Sequence, residues 1–173
     1  MIAGGFGIAW ALWGASGLTG GPATAVRVGG FVIGVLVFAG SALLQRPARR
    51  AARGEGSGSL LYSRGYRLVV AWEVIALVGG GALLGVTGHS QYTVAWFAGV
   101  VGAHFVAFGR LFWVGFYWLG AALLAAALAG AVVGFAGGGA GAIRAVSALI
   151  AAASLFAAGG WTVLAARASL TRV

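Results

Sequence analysis

The sequence predicts an all-α membrane protein, a single polytopic bundle of six transmembrane helices with both termini in the cytoplasm. Three observations lead to this fold class. The chain has 173 residues of which 61% are hydrophobic, only 8% are charged, and the apolar residues form long runs. An average soluble domain has about 25% charged residues, so this chain has too few to cover a surface in water. A disordered chain is excluded as well, since disorder requires low hydrophobicity and high charge.

Six apolar runs are long enough to cross a membrane, for which a helix needs about 20 residues. The fourth and fifth runs form one apolar block from Tyr92 to Gly138, which as a single helix would measure about 70 Å and exceed one crossing. We predict that this block folds back as a helical hairpin at Gly109–Arg110, its only polar break near the middle. The predicted spans are Ile2–Leu18, Ala23–Leu44, Leu68–Val86, Tyr92–Gly109, Leu111–Phe135 and Ile143–Ala165.

The first apolar run has a second interpretation, that of a cleaved signal peptide. Ala23-Thr24-Ala25 resembles a cleavage site. Against cleavage, the run has no basic residues at its start and contains Trp10 and Trp13. We therefore expect the segment to be retained as the first span.

The distribution of arginine predicts the orientation. With the N-terminus in the cytoplasm, nine of the 11 basic residues lie inside, and only Arg27 and Arg144 lie outside. Cytoplasmic loops of membrane proteins carry an excess of basic residues, so both termini are predicted to be cytoplasmic. All the basic residues are arginine, a usage typical of a bacterial genome rich in G and C, and the predicted location is a bacterial plasma membrane.

The loop predicted between the second and third spans, residues 45–67, carries most of these arginines. Pro47 is expected to end the second span, because proline cannot continue the helical hydrogen bonds, and Gly54–Ser59 is typical of a flexible linker. We expect the loop to fix the topology and to attract anionic lipid headgroups. The alternative is a docking site for a partner protein. The arginines expected to contact lipid are Arg46, Arg49, Arg50 and Arg53.

Several chemistries lack the residues that they need. The chain has no Cys, no Lys and no Asp, and only two Glu. This excludes thiolate metal sites and disulfide exchange, a lysine Schiff base or phosphate loop, and a carboxylate cluster for Mg²⁺ or Ca²⁺. We predict no enzymatic activity, no metal and no cofactor. The net charge of +9 is interpreted as a topology signal rather than as a nucleic-acid surface.

Ionisable residues inside the membrane are rare and costly, so they are the first candidates for function. Glu73 lies six residues after Arg67 on a span running outward, and His104 lies six residues before Arg110 on a span running inward. Both therefore lie about 9 Å from the inner ends of their spans. Because the two spans are consecutive, we expect Glu73 and His104 to pair, with Arg110 within reach of Glu73.

This pair has two interpretations. It is either a proton- or cation-responsive site of a small permease or channel-like protein, or a structural contact that fixes one span against the next. Glycines four residues apart, as in Gly30/Gly34, Gly81/Gly85 and Gly130/Gly134, favour close helix packing. Such faces also suit a homo-oligomer or a non-catalytic accessory subunit of a larger membrane complex. Gly79-Gly80-Gly81 in the third span predicts a very close helix crossing.

Arg27 and Arg144 lie near the outer face, at the starts of the second and sixth spans. No acidic residue is predicted on that side to pair with them. We expect both side chains to extend to lipid phosphates. The alternative is an electropositive mouth that attracts anions.

The stretch Val101–Phe112 resembles a family of uncharacterised bacterial multi-pass proteins that share a Gly-x-His-Phe element followed by an apolar helical hairpin. Here the element is Gly102-Ala103-His104-Phe105, and the likeness extends over about Arg67 to Gly120. The family has Leu-Pro after His-Phe, where this chain has Val106-Ala107. The resemblance implies a hairpin without a proline kink and singles out His104, and it implies no activity.

Overall fold

The computed structural model of the protein describes residues 2–51 and 64–170. The described residues form six α-helices and one short 3-10 helix, with no strand among them, so the predicted all-α fold is confirmed. The helices are α1 (Ile2–Ala15), α2 (Gly20–Ala51), α3 (Arg64–Val86), α4 (Thr93–Leu111), α5 (Gly115–Phe135) and α6 (Ala140–Leu170), and the 3-10 helix (Ser90–Tyr92) directly precedes α4.

Five of the helices, α2 to α6, are long and apolar enough to cross a membrane. Helix α1 has 14 residues. It is therefore about 21 Å long, which is shorter than a hydrocarbon core of about 30 Å. With five such helices in one chain, the architecture is that of a multi-pass membrane protein.

Helix α6 lies at the centre of the arrangement and packs against α1, α2, α4 and α5. The pairs α1/α2, α4/α5 and α5/α6 are each joined by three or four residues, and such short connections place consecutive helices side by side. Helix α3 is the exception. Within the described residues it packs only against α4 and the 3-10 helix, and none of its residues is buried. The bundle therefore has a compact part and one peripheral helix.

The core of the compact part is built largely from alanine. The large side chains of its central cluster are Trp10, Leu123 and Leu155, and Ile143 is buried as well. Small residues let helix backbones approach closely, and this close packing holds helices together where lipid removes the hydrophobic driving force between them. The alanines of the core cluster are Ala11, Ala98, Ala126, Ala148, Ala151 and Ala152.

The closest approach between α4 and α5 occurs at two glycines that face each other. A Cβ atom on Gly102 would lie 2.9 Å from the backbone nitrogen of Leu124 and 3.0 Å from the carbonyl oxygen of Gly120. A Cβ atom on Gly120 would in turn lie 2.8 Å from the carbonyl oxygen of Gly102. These distances leave no room for a side chain, so the two backbones are in direct contact.

Most of the glycines that the spacing of four residues singles out also lie at helix contacts. Gly30 and Gly34 of α2 face side chains of α1. Gly130 of α5 faces α4 and α6, and Gly134 faces the ring of Tyr92. The pair Gly81/Gly85 of α3 is different, because Gly85 faces open space.

The prediction that Pro47 ends the second helix is wrong, because α2 continues through it to Ala51. The predicted loop 45–67 is correspondingly shorter, since α3 also begins earlier, at Arg64. A proline removes one backbone hydrogen bond and crowds the preceding turn, but the residues beyond it can resume the helical pattern. The end of the apolar run is therefore not the end of the helix.

The predicted turn at Gly109–Arg110 is displaced to residues 112–114. Both residues belong to α4, where the absence of a side chain at Gly109 makes room for the ring of Tyr117 on α5. The backbone N–H of Phe112 still donates to the carbonyl of Phe108 at 2.9 Å. Gly109 is thus a packing position, and sequence pattern alone does not separate a glycine that breaks a helix from one that seats a neighbouring ring.

We expect Gly102→Ala to destabilise the bundle, because the new methyl group would collide with the backbone of α5. Such overpacking costs about 1–3 kcal/mol, which exceeds the gain of about 1 kcal/mol in helix propensity. The measurement is the free energy of unfolding in mixed micelles. Gly99→Ala on the same helix is the matched control, since its Cβ would meet only the Cβ of Ala127 at an ordinary 3.4 Å. Equal stability of the two variants would contradict this account of the crossing.

Candidate functional site between helices α3 and α4

Glu73 of α3 and His104 of α4 lie side by side in the structure. The Nδ1 atom of His104 is 2.9 Å from the Oε2 atom of Glu73. The side chain of His104 is 10% exposed and that of Glu73 is 20% exposed. Helices α3 and α4 run antiparallel, so residues at equal distances from their joined ends meet. The depth argument from the sequence and the packing of the helices therefore bring together the same two residues.

The geometry of this contact is close but not aligned. The distance is that of a hydrogen-bonded ion pair, yet the direction of the Nδ1–H bond lies outside hydrogen-bonding angles, which leaves Nδ1 buried without a formal hydrogen bond. The contact is an ion pair when the imidazole is protonated, and a neutral ring donates to the carboxylate only as the Nδ1–H tautomer.

Aromatic rings cover His104 on the side toward the end of the bundle that carries Arg64 and Leu111. The ring of Phe108 lies 4.0 Å from that of His104, and the ring of Phe105 meets His104 edge-on at 5.6 Å. Tyr66 of α3 stacks on Phe108 at 5.6 Å. Phe105 stacks on Phe116 of α5, also at 5.6 Å. We call Tyr66, Phe105, Phe108 and Phe116 the aromatic cluster, and it connects the pair to both neighbouring helices.

A second polar contact joins α3 and α4 nearer their other ends. The indole N–H of Trp96 donates to the backbone carbonyl of Ala76 at 2.9 Å. The ring lies across Gly80, where any Cβ atom would overlap the indole. Gly81 borders Phe97, and Gly79 faces open space. Gly80 and Gly81 thus make room for side chains of α4, and the crossing of backbones expected from the three consecutive glycines is not observed.

The Gly-x-His-Phe element has a separate contact at each of its three named positions. Gly102 touches α5, His104 touches α3, and Phe105 stacks against α5. The element therefore lies at the junction of three helices, although the sequence singled out only His104.

Arg110 is not brought to Glu73. It lies exposed in the last turn of α4 and forms no ion pair with Glu73 among the described residues. His104 occupies the near side of the carboxylate instead. The expected bridge by a long arginine side chain is therefore absent from this structure.

The outer arginines have different surroundings. The Nη1 atom of Arg144 donates to the Oγ atom of Ser16 at 3.3 Å, and that hydroxyl donates to the carbonyl of Trp13 at 2.6 Å. Arg27 is exposed on α2 and has no hydrogen bond or ion pair within the described residues. The structure does not bring these two arginines into one site.

The remaining predicted lipid contacts lie at the end of α2. Arg46, Arg49 and Arg50 belong to its last turns and not to a loop. Arg53 lies outside the described residues.

Sequence reasoning missed the contacts of Tyr66, Ala76 and Trp96. One signal was available, because His104 and Phe108 lie four residues apart on α4 and so share one face. Nothing in the sequence indicated which helix that face would meet.

A comparison of the chain with known proteins found no matching family model, curated protein or solved structure. The function of the protein is therefore inferred from the geometry of its described residues.

We expect Glu73→Gln and His104→Gln each to lower the free energy of unfolding. We expect the double variant to lower it by less than the sum of the two single effects. Coupling energies between polar side chains in membrane proteins average about 0.6 kcal/mol and reach about 1.7 kcal/mol, and a double-mutant cycle of unfolding free energies isolates that coupling. His89→Gln, in the exposed loop before α4, is the control for a histidine outside the pair. Strict additivity of the two single changes would show that the side chains do not interact.

We expect opposite effects from adjacent glycines of α3. Gly80→Ala would displace the indole of Trp96 and lose its hydrogen bond, with a cost of about 1–3 kcal/mol. Gly79→Ala would raise helix propensity by about 1 kcal/mol without a clash. Unfolding free energies and the fluorescence of Trp96, measured with the other tryptophans replaced by Phe, test this. A destabilising Gly79→Ala with a neutral Gly80→Ala would overturn the assignment.

Proposed function

We propose that the chain crosses a bacterial plasma membrane six times, with both termini in the cytoplasm. The support for α1 as the sixth span is its path along α2. Gly4 approaches the backbone of Phe38, which lies about 27 Å along α2 from Gly20. Together with the turn that follows it, α1 thus covers nearly the thickness of a hydrocarbon core of about 30 Å.

The support for the orientation is the placement of the described arginines. Arg64, Arg67, Arg110 and Arg167 all lie near the helix ends that share a side with the chain termini. Arg27 and Arg144 lie toward the opposite ends. Since the cytoplasmic side of a membrane protein carries the excess of basic residues, the side of the termini is the cytoplasmic one in this proposal.

We propose further that the protein is a small permease or channel-like protein that conducts protons or a small cation, with Glu73 and His104 as its charged site. One observation carries this proposal: within the described part of the chain, the only acidic side chain lies 2.9 Å from a histidine, and both are largely covered between α3 and α4. Burial of such groups is costly, and where they occur in membrane spans they mark ion and proton pathways.

The chemistry of the pair suits an exchange of protons. Ionised Glu73 attracts the imidazole of His104 and places an acceptor oxygen 2.9 Å from its Nδ1 atom, whereas protonated Glu73 carries a donor of its own and no charge. Gain of a proton or arrival of a small cation at the carboxylate therefore weakens the attraction between the two side chains. No third acidic or basic partner among the described residues compensates for that loss.

Because of the position of α3, a weaker attraction between Glu73 and His104 would allow the whole helix to move. Since α3 packs only against α4 and the 3-10 helix, loss of the Glu73–His104 contact leaves mainly the Trp96 hydrogen bond and aromatic contacts such as Tyr66–Phe108. A helix with few contacts is among the least stable parts of a structure and moves more readily than a buried helix. In this proposal α3 shifts on α4 when the site changes charge.

A second candidate function is that of a non-catalytic accessory subunit. The observation that favours it is the outward side of α3, which buries no residue and exposes large apolar side chains such as Leu68, Val78 and Leu83. In that case the Glu73–His104 contact is purely structural, and a partner membrane subunit or a second copy covers α3.

The test is proton flux into vesicles that contain the purified protein and a pH-sensitive dye, driven by a potassium diffusion potential. We expect flux above that of protein-free vesicles, and we expect Glu73→Gln to abolish it because the amide cannot exchange a proton at this site. His104→Gln should reduce it as well, whereas His89→Gln should leave it unchanged.

Flux equal to that of protein-free vesicles for protons, Na⁺ and K⁺, with a folded protein, would overturn the transport proposal and favour the accessory subunit. Unchanged flux in Glu73→Gln would show that any pathway lies elsewhere in the bundle. Retention of the fold in each variant is checked by circular dichroism and gel filtration in detergent.

A further inference from the structure

One face of the first two turns of α3 borders an open cleft outside the Glu73–His104 site, and the described residues that line the cleft all belong to this helix. The cleft has a volume of about 380 Å³ and is lined by Arg64, Arg67, Leu68 and Ala71. These positions are spaced by three, four and seven residues from the first, so they share one helix face. Glu73 points about 180° away from that face at 100° per residue.

This face looks outward from the bundle. Helix α3 packs against α4 on the side of Glu73 and Gly80, and no other long helix covers its far side among the described residues. The same outward face continues along the helix as exposed apolar residues, Ile75 and Val78. The outward face of α3 therefore carries two cationic side chains at the start of the helix and apolar side chains farther along.

The two arginines lack a counter-charge in the described structure. Both are exposed, and the only ion pair among the described residues is that of Glu73 with His104. Guanidinium groups bind phosphate through paired N–H donors more effectively than through a point charge. Since both arginines lie in the first turn of α3, a membrane-spanning α3 would hold these donors near the lipid phosphates, with Leu68 and Ala71 about one turn farther along the helix.

We propose that this cleft is a binding site for one anionic phospholipid. The phosphate is held by Arg64 and Arg67, and an acyl chain lies along Leu68, Ala71, Ile75 and Val78. Basic pockets on membrane spans are known to hold anionic headgroups in this way. A second copy of this chain is a poor occupant, because a protein of net charge +9 with only two acidic residues offers no anionic surface to the arginines.

The site differs from the general attraction of a basic segment for anionic lipid. It requires a pair of arginines together with apolar residues on the same helix face, so that binding depends on both parts. It is also independent of the proposed transport function, because its residues lie on the face of α3 opposite Glu73. Its consequence for the fold is specific: a bound lipid supplies α3 with contacts on the side that α4 does not reach.

The experiment is a titration of the detergent-solubilised, full-length protein with phosphatidylglycerol, read by native mass spectrometry, with phosphatidylcholine as the zwitterionic comparison. We expect one phosphatidylglycerol to bind about tenfold more tightly than phosphatidylcholine. Arg64→Gln/Arg67→Gln should remove that preference. Arg110→Gln/Arg167→Gln, which removes the same charge from exposed arginines at the same ends of the helices, should retain it.

A second variant tests the contribution of the apolar residues next to the arginines without a change in charge. Ala71→Trp fills the cleft below the arginines, and we expect it to weaken phosphatidylglycerol binding while leaving both guanidinium groups in place. Competition by inorganic phosphate at millimolar concentration would show a simple anion site and overturn the assignment to lipid. Equal loss of binding in the two double-arginine variants, or unchanged binding in Ala71→Trp, would overturn it as well.

Discussion

Lipid solvates an apolar side chain about as well as another helix does, so helices in a membrane stay together only where backbones approach closely or polar groups pair. The compact part of this protein satisfies the first condition. Gly102 and Gly120 bring the backbones of α4 and α5 into contact, and Gly34 does the same for α1 and α2. The abundance of Gly and Ala in the chain is therefore the physical basis of the bundle, and the position of every other functional residue depends on it.

Helix α3 is attached by the second condition. Its contacts with α4 are a carboxylate against an imidazole, an indole N–H on a backbone carbonyl, and stacked rings. These contacts are directional and few, whereas a glycine interface is extended. The protein thus has one helix whose attachment depends on ionisable groups, and for this reason Glu73 and His104 are the centre of the proposed function.

The two faces of α3 have separate roles in this account. One face carries Glu73 toward α4, and the opposite face presents Arg64 and Arg67 above an apolar band. A lipid on the outer face and a proton or cation at the inner face would act on the same helix through different contacts. Since neither contact involves α6 or the alanine core, either can change while the compact part of the bundle stays intact.

Sequence alone predicts the all-α fold class, the approximate positions of the helices, the segregation of arginine and the pairing of Glu73 with His104. Composition and run length suffice for these properties because every backbone polar group must be satisfied inside lipid, which leaves helices as the simplest solution for long apolar runs. The depth argument succeeded because the rise per residue of a helix is fixed.

Which helix faces meet is known only from the packing of the helices. Gly109 resembled a helix break and proved to seat Tyr117, Gly80 resembled a backbone crossing and proved to seat Trp96, and Pro47 did not stop α2. Arg110, expected at Glu73, remained apart from it. The physical reason is that a small residue is equally compatible with a turn, a crossing or a seat for a ring, and only the rotation of each helix against its neighbours selects among them.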